Sequence, residues 1–455
     1  MPEPVPEYAL RAFILVLRSR ISLYASTCSR PSARPGVREC PPPPRMHKTG
    51  TAQTCILIVK SFLGGAFLFL PHAMLKGGVV LSVCTLLSVF LVALYSINLL
   101  LRCSASGKEE TYEQLGEKAF GACGRVIVEA CVVLSQLSFC TINAVVVWGN
   151  LRDVIWTISG CSPAHKWSVV ALMWLGALYF IPASLITNLK YLSPLMLIGN
   201  AGMAVSVLLL LVAVSLVRPA AFWTGAEALA LWENWPMTIG TSILMWEGAG
   251  LIVPIRNAAT KKVQDRFPLL FSACLGALLA LYIGFTLYCI AVLGQELEVV
   301  VLANLPPGPL SLTVQTLFAL SVMATYPLLL LPASNIAEGR LLPNRKRLSA
   351  CAYTLLRSLL RAFLVILTLL AASVGLKQLD SFVALVGSLC GAPLTFLCPP
   401  LLHIRLQKGT PTLLLLLHYA VVLTGACIVV FSIYWALATW RGSGDFPARC
   451  NSRDN

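Results

Sequence analysis

Gly64-Gly65-Ala66-Phe67-Leu68-Phe69-Leu70-Pro71 and Glu247-Gly248-Ala249-Gly250-Leu251-Ile252-Val253-Pro254 carry one pattern twice, G-A-x-L-apolar-apolar-P, beginning at Gly65 and Gly248. Each copy interrupts a long apolar run. Glycine weakens helicity and proline removes a backbone donor, so both are places where a membrane helix can unwind. The copies lie five predicted spans apart. That odd number makes them cross the membrane in opposite directions. Paired interruptions in corresponding positions of two halves point to the binding site of a secondary transporter. Unwound segments expose helix ends, whose N–H groups suit a carboxylate and whose carbonyls suit an ammonium or a cation. Together they suit a zwitterion, which is otherwise costly to desolvate. The bland alternative stays open at this point, because glycine and proline also serve ordinary packing in transmembrane helices.

Around these copies the composition defines a membrane protein. The chain is 57% hydrophobic and 12% charged, whereas a soluble domain carries about 25% charged residues. The apolar residues fall into about eleven runs long enough to cross roughly 30 Å of hydrocarbon as helices. These predicted spans cover about 55–75, 77–101, 125–149, 168–186, 194–217, 236–255, 268–293, 310–332, 352–375, 380–403 and 412–439. Strand-type alternation is absent, which leaves helices to satisfy the backbone in lipid. The fold class expected is all-α integral membrane, with residues 52–440 forming the transmembrane domain. The Arg- and Pro-rich residues 1–50 are expected to be a disordered cytosolic tail, with an organelle transit peptide as the alternative. Residues 441–455 are expected to be a short lumenal or external tail.

The net charge of +15 does not call for nucleic acid as a partner. With the N-terminus placed in the cytosol, the inward connections and the adjoining span ends at Arg125, Arg357 and Arg361 hold 17 Lys and Arg and the outward connections 5. That is positive-inside asymmetry and orients the chain. Of the 16 cysteines, most fall within spans, where they act as small apolar residues. Cys161 and Cys450 alone sit firmly on the predicted outer side and form one candidate bridge. No His/Cys grouping has metal-ligand spacing, so no metal site is expected.

Ionisable residues inside spans are functional candidates. Glu247, beside the second interruption, is the expected proton carrier, with His72 in reserve. Glu129 reads as interfacial. Lys60, Arg357 and Arg361 read as snorkelling toward the cytosolic boundary. His403 and His418 read as structural. Ser321 and Thr325 either bond a cation or their own backbone carbonyls.

Longer segments carry a family resemblance. Lys60-Ser61-Phe62-Leu63-Gly64-Gly65-Ala66-Phe67-Leu68-Phe69-Leu70-Pro71-His72-Ala73 resembles the first-span motif K-S-F-x-G-T-G-x-L-F-L-P-x-A of the amino acid/auxin permease family. Trp246-Glu247-Gly248-Ala249-Gly250-Leu251-Ile252-Val253-Pro254 is similar to its sixth-span F-E-G-x-G-x-x-x-P. Val300 to Pro306 with Tyr326-Pro327 through Pro332-Ala333 resemble the seventh-to-eighth segment, and Leu385-Val386-Gly387-Ser388 with Pro399-Pro400-Leu401-Leu402-His403 the tenth span. Fungal vacuolar amino-acid exporters and lysosomal proton-coupled transporters look most similar. The resemblance implies a LeuT-type 5+5 inverted repeat plus one extra helix. It implies small neutral amino acids as substrates, the lipid bilayer as surroundings, and a vacuolar or lysosomal membrane in preference to the plasma membrane. No cofactor is expected beyond a coupling proton, with sodium as the alternative.

The substrate site expected from the repeat and the resemblance comprises Gly64, Gly65, Ala66, Gln136, Trp246, Gly248, Ala249, Gly250 and Thr325. The chain departs from the family pattern at Ala66, at Arg256 and at Asn143, where the family has a glycine, an acid and often an aromatic. Ala66 and Arg256 keep a second reading in view, a non-transporting amino-acid sensor on the same fold. No HExxH, GxSxG or P-loop pattern marks an enzyme.

Overall fold

The computed structural model describes residues 49–104, 111–160, 167–186, 189–216, 231–306, 308–342, 350–376, 379–407 and 409–438. The expectations for residues 1–48, the final tail and the Cys161–Cys450 bridge lie outside them. The described chain is helical, with an isolated bridge between Thr49 and Ala259.

The first span is broken where the glycines predict. Helix α1 (Thr51–Phe62) ends, a 3-10 turn covers Gly65–Phe69, and α2 (Leu70–Lys76) continues. The two halves meet at a bend of 48°. Pro71 falls in the first turn of α2, where its missing N–H has no intrahelical partner to lose. Helix α3 (Val79–Cys103) follows. Then comes α4 (Tyr112–Ile158), which kinks at Gly121, where a φ of 66° needs a residue without Cβ. The chain after the second predicted span therefore joins this helix from Tyr112 onward, anchored by the buried Tyr112 hydroxyl, which donates to the Leu394 carbonyl at 2.9 Å.

The predicted fourth span is divided into α5 (Val169–Leu175) and α6 (Ala177–Ser184). Together they cover Val169–Ser184, about 24 Å at the helical rise, which is short of the hydrocarbon thickness. Gly176 marks the division. A Cβ there would fall 2.3 Å from the Trp148 ring, so the glycine permits close approach to α4. Helix α7 (Leu189–Ser215) completes the first half.

The sixth span repeats the break as α8 (Trp235–Trp246) and α9 (Ala249–Ala258). Short α10 (Lys261–Asp265) leads into α11 (Phe267–Leu293), followed by α12 (Pro309–Leu341) and α13 (Ala350–Gly375). The tenth span begins as α14 (Leu379–Val386), passes through π-helical turns at Gly387–Gly391 and Pro393–Leu397, and ends as α15 (Cys398–Leu406). Helix α16 (Thr412–Ala438) is last. Among the described residues nine helices are long and apolar enough to span, or ten with the bent α1–α2 pair. The predicted span outside this count is the fourth, the divided α5–α6.

The longest helices, α4 and α12, pack along each other, and α7 packs on α12. Many residues on the outer faces are large and apolar, among them Leu91, Leu208, Leu269 and Leu413. A helix bundle with an apolar perimeter belongs in lipid. The protein is a multi-pass membrane protein.

Candidate functional site

Both breaks open on one cavity of about 30 Å³, room for only one or two waters. Gly64, Gly65 and Ala66 line it from the first span, Glu247 and Gly248 from the sixth, Gln136 from α4 and Thr325 from α12. Seven of the eleven predicted site residues therefore meet at one place.

The others sit elsewhere. Trp246 is fully buried behind the cavity wall, with its ring 5.0 Å from Phe90, 5.3 Å from Tyr282 and 6.5 Å from Phe62. It packs the break and does not line the cavity. Gly250 faces α4, where an added Cβ would lie 3.6 Å from Val132 and 3.7 Å from the Gln136 amide nitrogen. His72 is buried on α2, away from the cavity lining. The Ala249 backbone starts α9, and its side chain is outside the described set.

Each break leaves backbone groups without intrahelical partners. At the end of α1 one is satisfied from outside, because the Tyr282 hydroxyl donates to the Phe62 carbonyl at 2.9 Å. Gly248 permits close contact between the breaks: a Cβ there would fall 2.6 Å from the Phe62 ring. The Glu247 carboxylate is 2% exposed and neither oxygen has a hydrogen-bond partner. The Ser135 hydroxyl lies beside it and donates to the Val132 carbonyl at 3.1 Å instead. The π-helical turn of the tenth span closes on the same acid, since a Cβ on Gly391 would lie 3.1 Å from its Cγ. Helical irregularities of this type gather at functional sites.

On α12 Ser321 donates to the Gly199 carbonyl on α7, and Thr325 donates to the Ser321 carbonyl at 2.9 Å. Each hydroxyl oxygen keeps its lone pairs for a cation. Among the described residues no cluster of His, Cys, Asp or Glu has the makings of a metal site.

The snorkelling assignments fail for two of the three cations. Lys60 is 7% exposed and lines the cavity. Arg361 is buried and donates to Glu338 at 2.6 Å and to the Ser184 carbonyl at 2.7 Å. The reason is that α12 runs past residue 332 to Leu341, which brings Glu338 between Arg357 and Arg361. Glu129 is likewise buried and paired, with Arg125 at 2.7 Å and Arg340 at 2.5 Å. These carboxylates tie α4, α12 and α13 together as scaffold. Asn143 also lines the cavity, and its side-chain oxygen would lie 2.9 Å from a Cβ on Gly65. Sequence reasoning noted it only as a departure. Its position one helical turn beyond Phe139, on the face shared with Gln136, is the signal that finds it.

Two discontinuous helices around one cavity fit the architecture of LeuT-fold membrane transporters. The inward-facing conformation of Mhp1 aligns with a TM-score of 0.52 at 11% identity, over 92% of this chain and 98% of that one. MhsT in complex with L-phenylalanine aligns at 0.54 and 14% identity, over 86% of this chain and 100% of that one.

Residues 47–441 match the transmembrane amino acid transporter protein family, and the chain belongs to it. It is a family of transporters, not of enzymes. Vacuolar amino acid transporter 3 of Saccharomyces cerevisiae is 30% identical over 87% of this chain and 57% of its own length. Vacuolar amino acid transporter 3 of Schizosaccharomyces pombe is 29% identical over 77% of this chain and 52% of its own. Amino acid transporter AVT3A of Arabidopsis thaliana is 25% identical over 77% and 80%. The chain spans about half the length of the yeast relatives it matches.

Proposed function

We propose that the protein carries small neutral amino acids across a vacuolar or lysosomal membrane by alternating access, driven by a proton gradient. The observation that carries this reading is the enclosed cavity between the two broken helices, with Glu247 unpaired beside it. Helix ends exposed at the breaks suit the charged groups of an amino acid. A cavity that holds only one or two waters must widen to admit any amino acid, and it lies between half-helices that can tilt. Thr49 straps the inner halves together: its N–H donates to the Ala258 carbonyl at 2.9 Å, and the Thr260 N–H donates to its carbonyl at 3.0 Å. Helices α1 and α9 then swing as a unit when the site opens on their side. Glu247 exchanges a proton with each cycle and so links substrate movement to the gradient. The positive-inside asymmetry supports a cytosolic N-terminus, and protease protection of a tag at that end checks it.

Uptake of radiolabelled L-alanine into proteoliposomes, with and without an imposed pH gradient, tests the reading. Accumulation that follows the gradient supports it. Saturable alanine binding without flux selects the sensor alternative, which Ala66 and Arg256 favour.

A further inference from the structure

Lys60 is the feature of the cavity that the transport reading leaves unexplained. It is one of three buried Lys and Arg residues among those described, with Arg152 and Arg361. Arg361 spends its donors on Glu338, the Ser184 carbonyl and Asn335. The Lys60 ammonium nitrogen is buried without a hydrogen-bond partner, although the residue lines the cavity. From α12 the cavity receives Val322, Thr325 and Leu329, and the Thr325 hydroxyl, which donates to the Ser321 carbonyl, forms no hydrogen bond with Lys60. Glu247, the acid on the same cavity wall, forms no ion pair with Lys60 and keeps both oxygens unpaired. A buried cation of this kind is costly unless an anion reaches it, and the place left for that anion is the cavity itself.

We propose that Lys60 is the carboxylate anchor of the transported amino acid. The inference rests on the cavity being the substrate site and adds what discriminates there. The positive charge on α1 takes the substrate carboxylate. Ligands with an amine but no carboxylate, such as amino-acid amides, leave Lys60 buried and unpaired and are rejected.

The test is equilibrium binding of radiolabelled L-alanine to the purified full-length chain, with L-alaninamide as competitor, for the wild type, Lys60→Met and Lys60→Arg. Losing one partner of a buried charge pair is expected to weaken alanine binding by about 30-fold or more in Lys60→Met. The weak competition by alaninamide should stay where it is, so discrimination between acid and amide collapses. Lys60→Arg keeps the charge and should retain most of the discrimination. Thermal unfolding of each variant verifies folding, and the arginine variant carries the test if the methionine variant is unstable. Undiminished discrimination in Lys60→Met overturns the proposal. So does a wild-type affinity that changes when chloride is replaced by gluconate while Lys60→Met is insensitive, because Lys60 then holds an inorganic anion. Alanine binding that depends on Lys60 without any flux removes the transport reading and leaves the anchor standing. Flux with Lys60-independent discrimination does the reverse.

Discussion

The two breaks share a sequence pattern but not an environment. In the first span the chain leaves helix at Leu63 and Gly64, both extended, and re-enters through a 3-10 turn. In the sixth it leaves at Glu247 and Gly248 and re-enters directly as α9. A Cβ added at Gly64 meets nothing within 4 Å, whereas one at Gly248 strikes the Phe62 ring at 2.6 Å. Gly64 thus stands on an open side of its break, whereas Gly248 is packed. The repeated pattern determines where the backbone unwinds, and the neighbours decide which break has room for a ligand.

Valine at each glycine is the strongest way to break the comparison. Gly248→Val forces Phe62 aside, and overpacking of this kind costs about 1–3 kcal/mol. Transport is expected to fall to background together with a lower unfolding temperature in detergent. Gly64→Val meets no such obstacle, so it should lose transport while keeping its unfolding temperature. Equal destabilisation by the two would show that the breaks are packed alike.

Glu247→Gln sharpens the difference in charge between the breaks. Glutamine keeps the shape and hydrogen-bonding capacity but carries no titrating proton. Alanine binding should persist while acceleration of uptake by a pH gradient disappears. Full gradient-driven uptake in this variant would assign the acid to holding the break, and His72→Gln measured beside it tests the reserve carrier.

Gly64→Ala is a gentler probe of the open side. Its methyl group enters the cavity without touching the protein, so stability should not change. Glycine uptake should survive and uptake of larger amino acids should drop several-fold, read from competition profiles. The smallest effect is expected from Tyr282→Phe. It leaves the Phe62 carbonyl buried without its donor, at about 1 kcal/mol, seen as a slightly lower unfolding temperature with substrate selectivity unchanged.

The paired and unpaired charges extend the same lesson. Arg361, paired at i, i+4 with Arg357, and Lys60 are both cations near the cytosolic boundary of an apolar run, and snorkelling accounts for both in the sequence. Tertiary structure separates them. Helix α12 continues far enough to carry Glu338 to Arg361, while no acid is carried to Lys60. The general rule that an ionisable residue inside a span is a functional candidate applies to Lys60. Trp246 is the opposite case. Its place in the motif beside Glu247 suggested a ligand contact, but on a helix adjacent residues face different ways, and this ring turns into the aromatic wall behind the cavity.

By itself the sequence determined the membrane class, the all-helical fold, the two broken spans and the family. These follow from local chemistry: apolar length, the lost donors of proline, and the weak helicity of glycine act wherever the residues stand. Only the tertiary structure decided which motif residues face the cavity, that α5 and α6 divide at Gly176 against Trp148, and that Lys60 and Glu247 are left without partners while Glu129 and Glu338 are paired. Those outcomes depend on distances between helices far apart in the chain. Pairing of a buried charge is settled by whatever the opposing helix brings within reach.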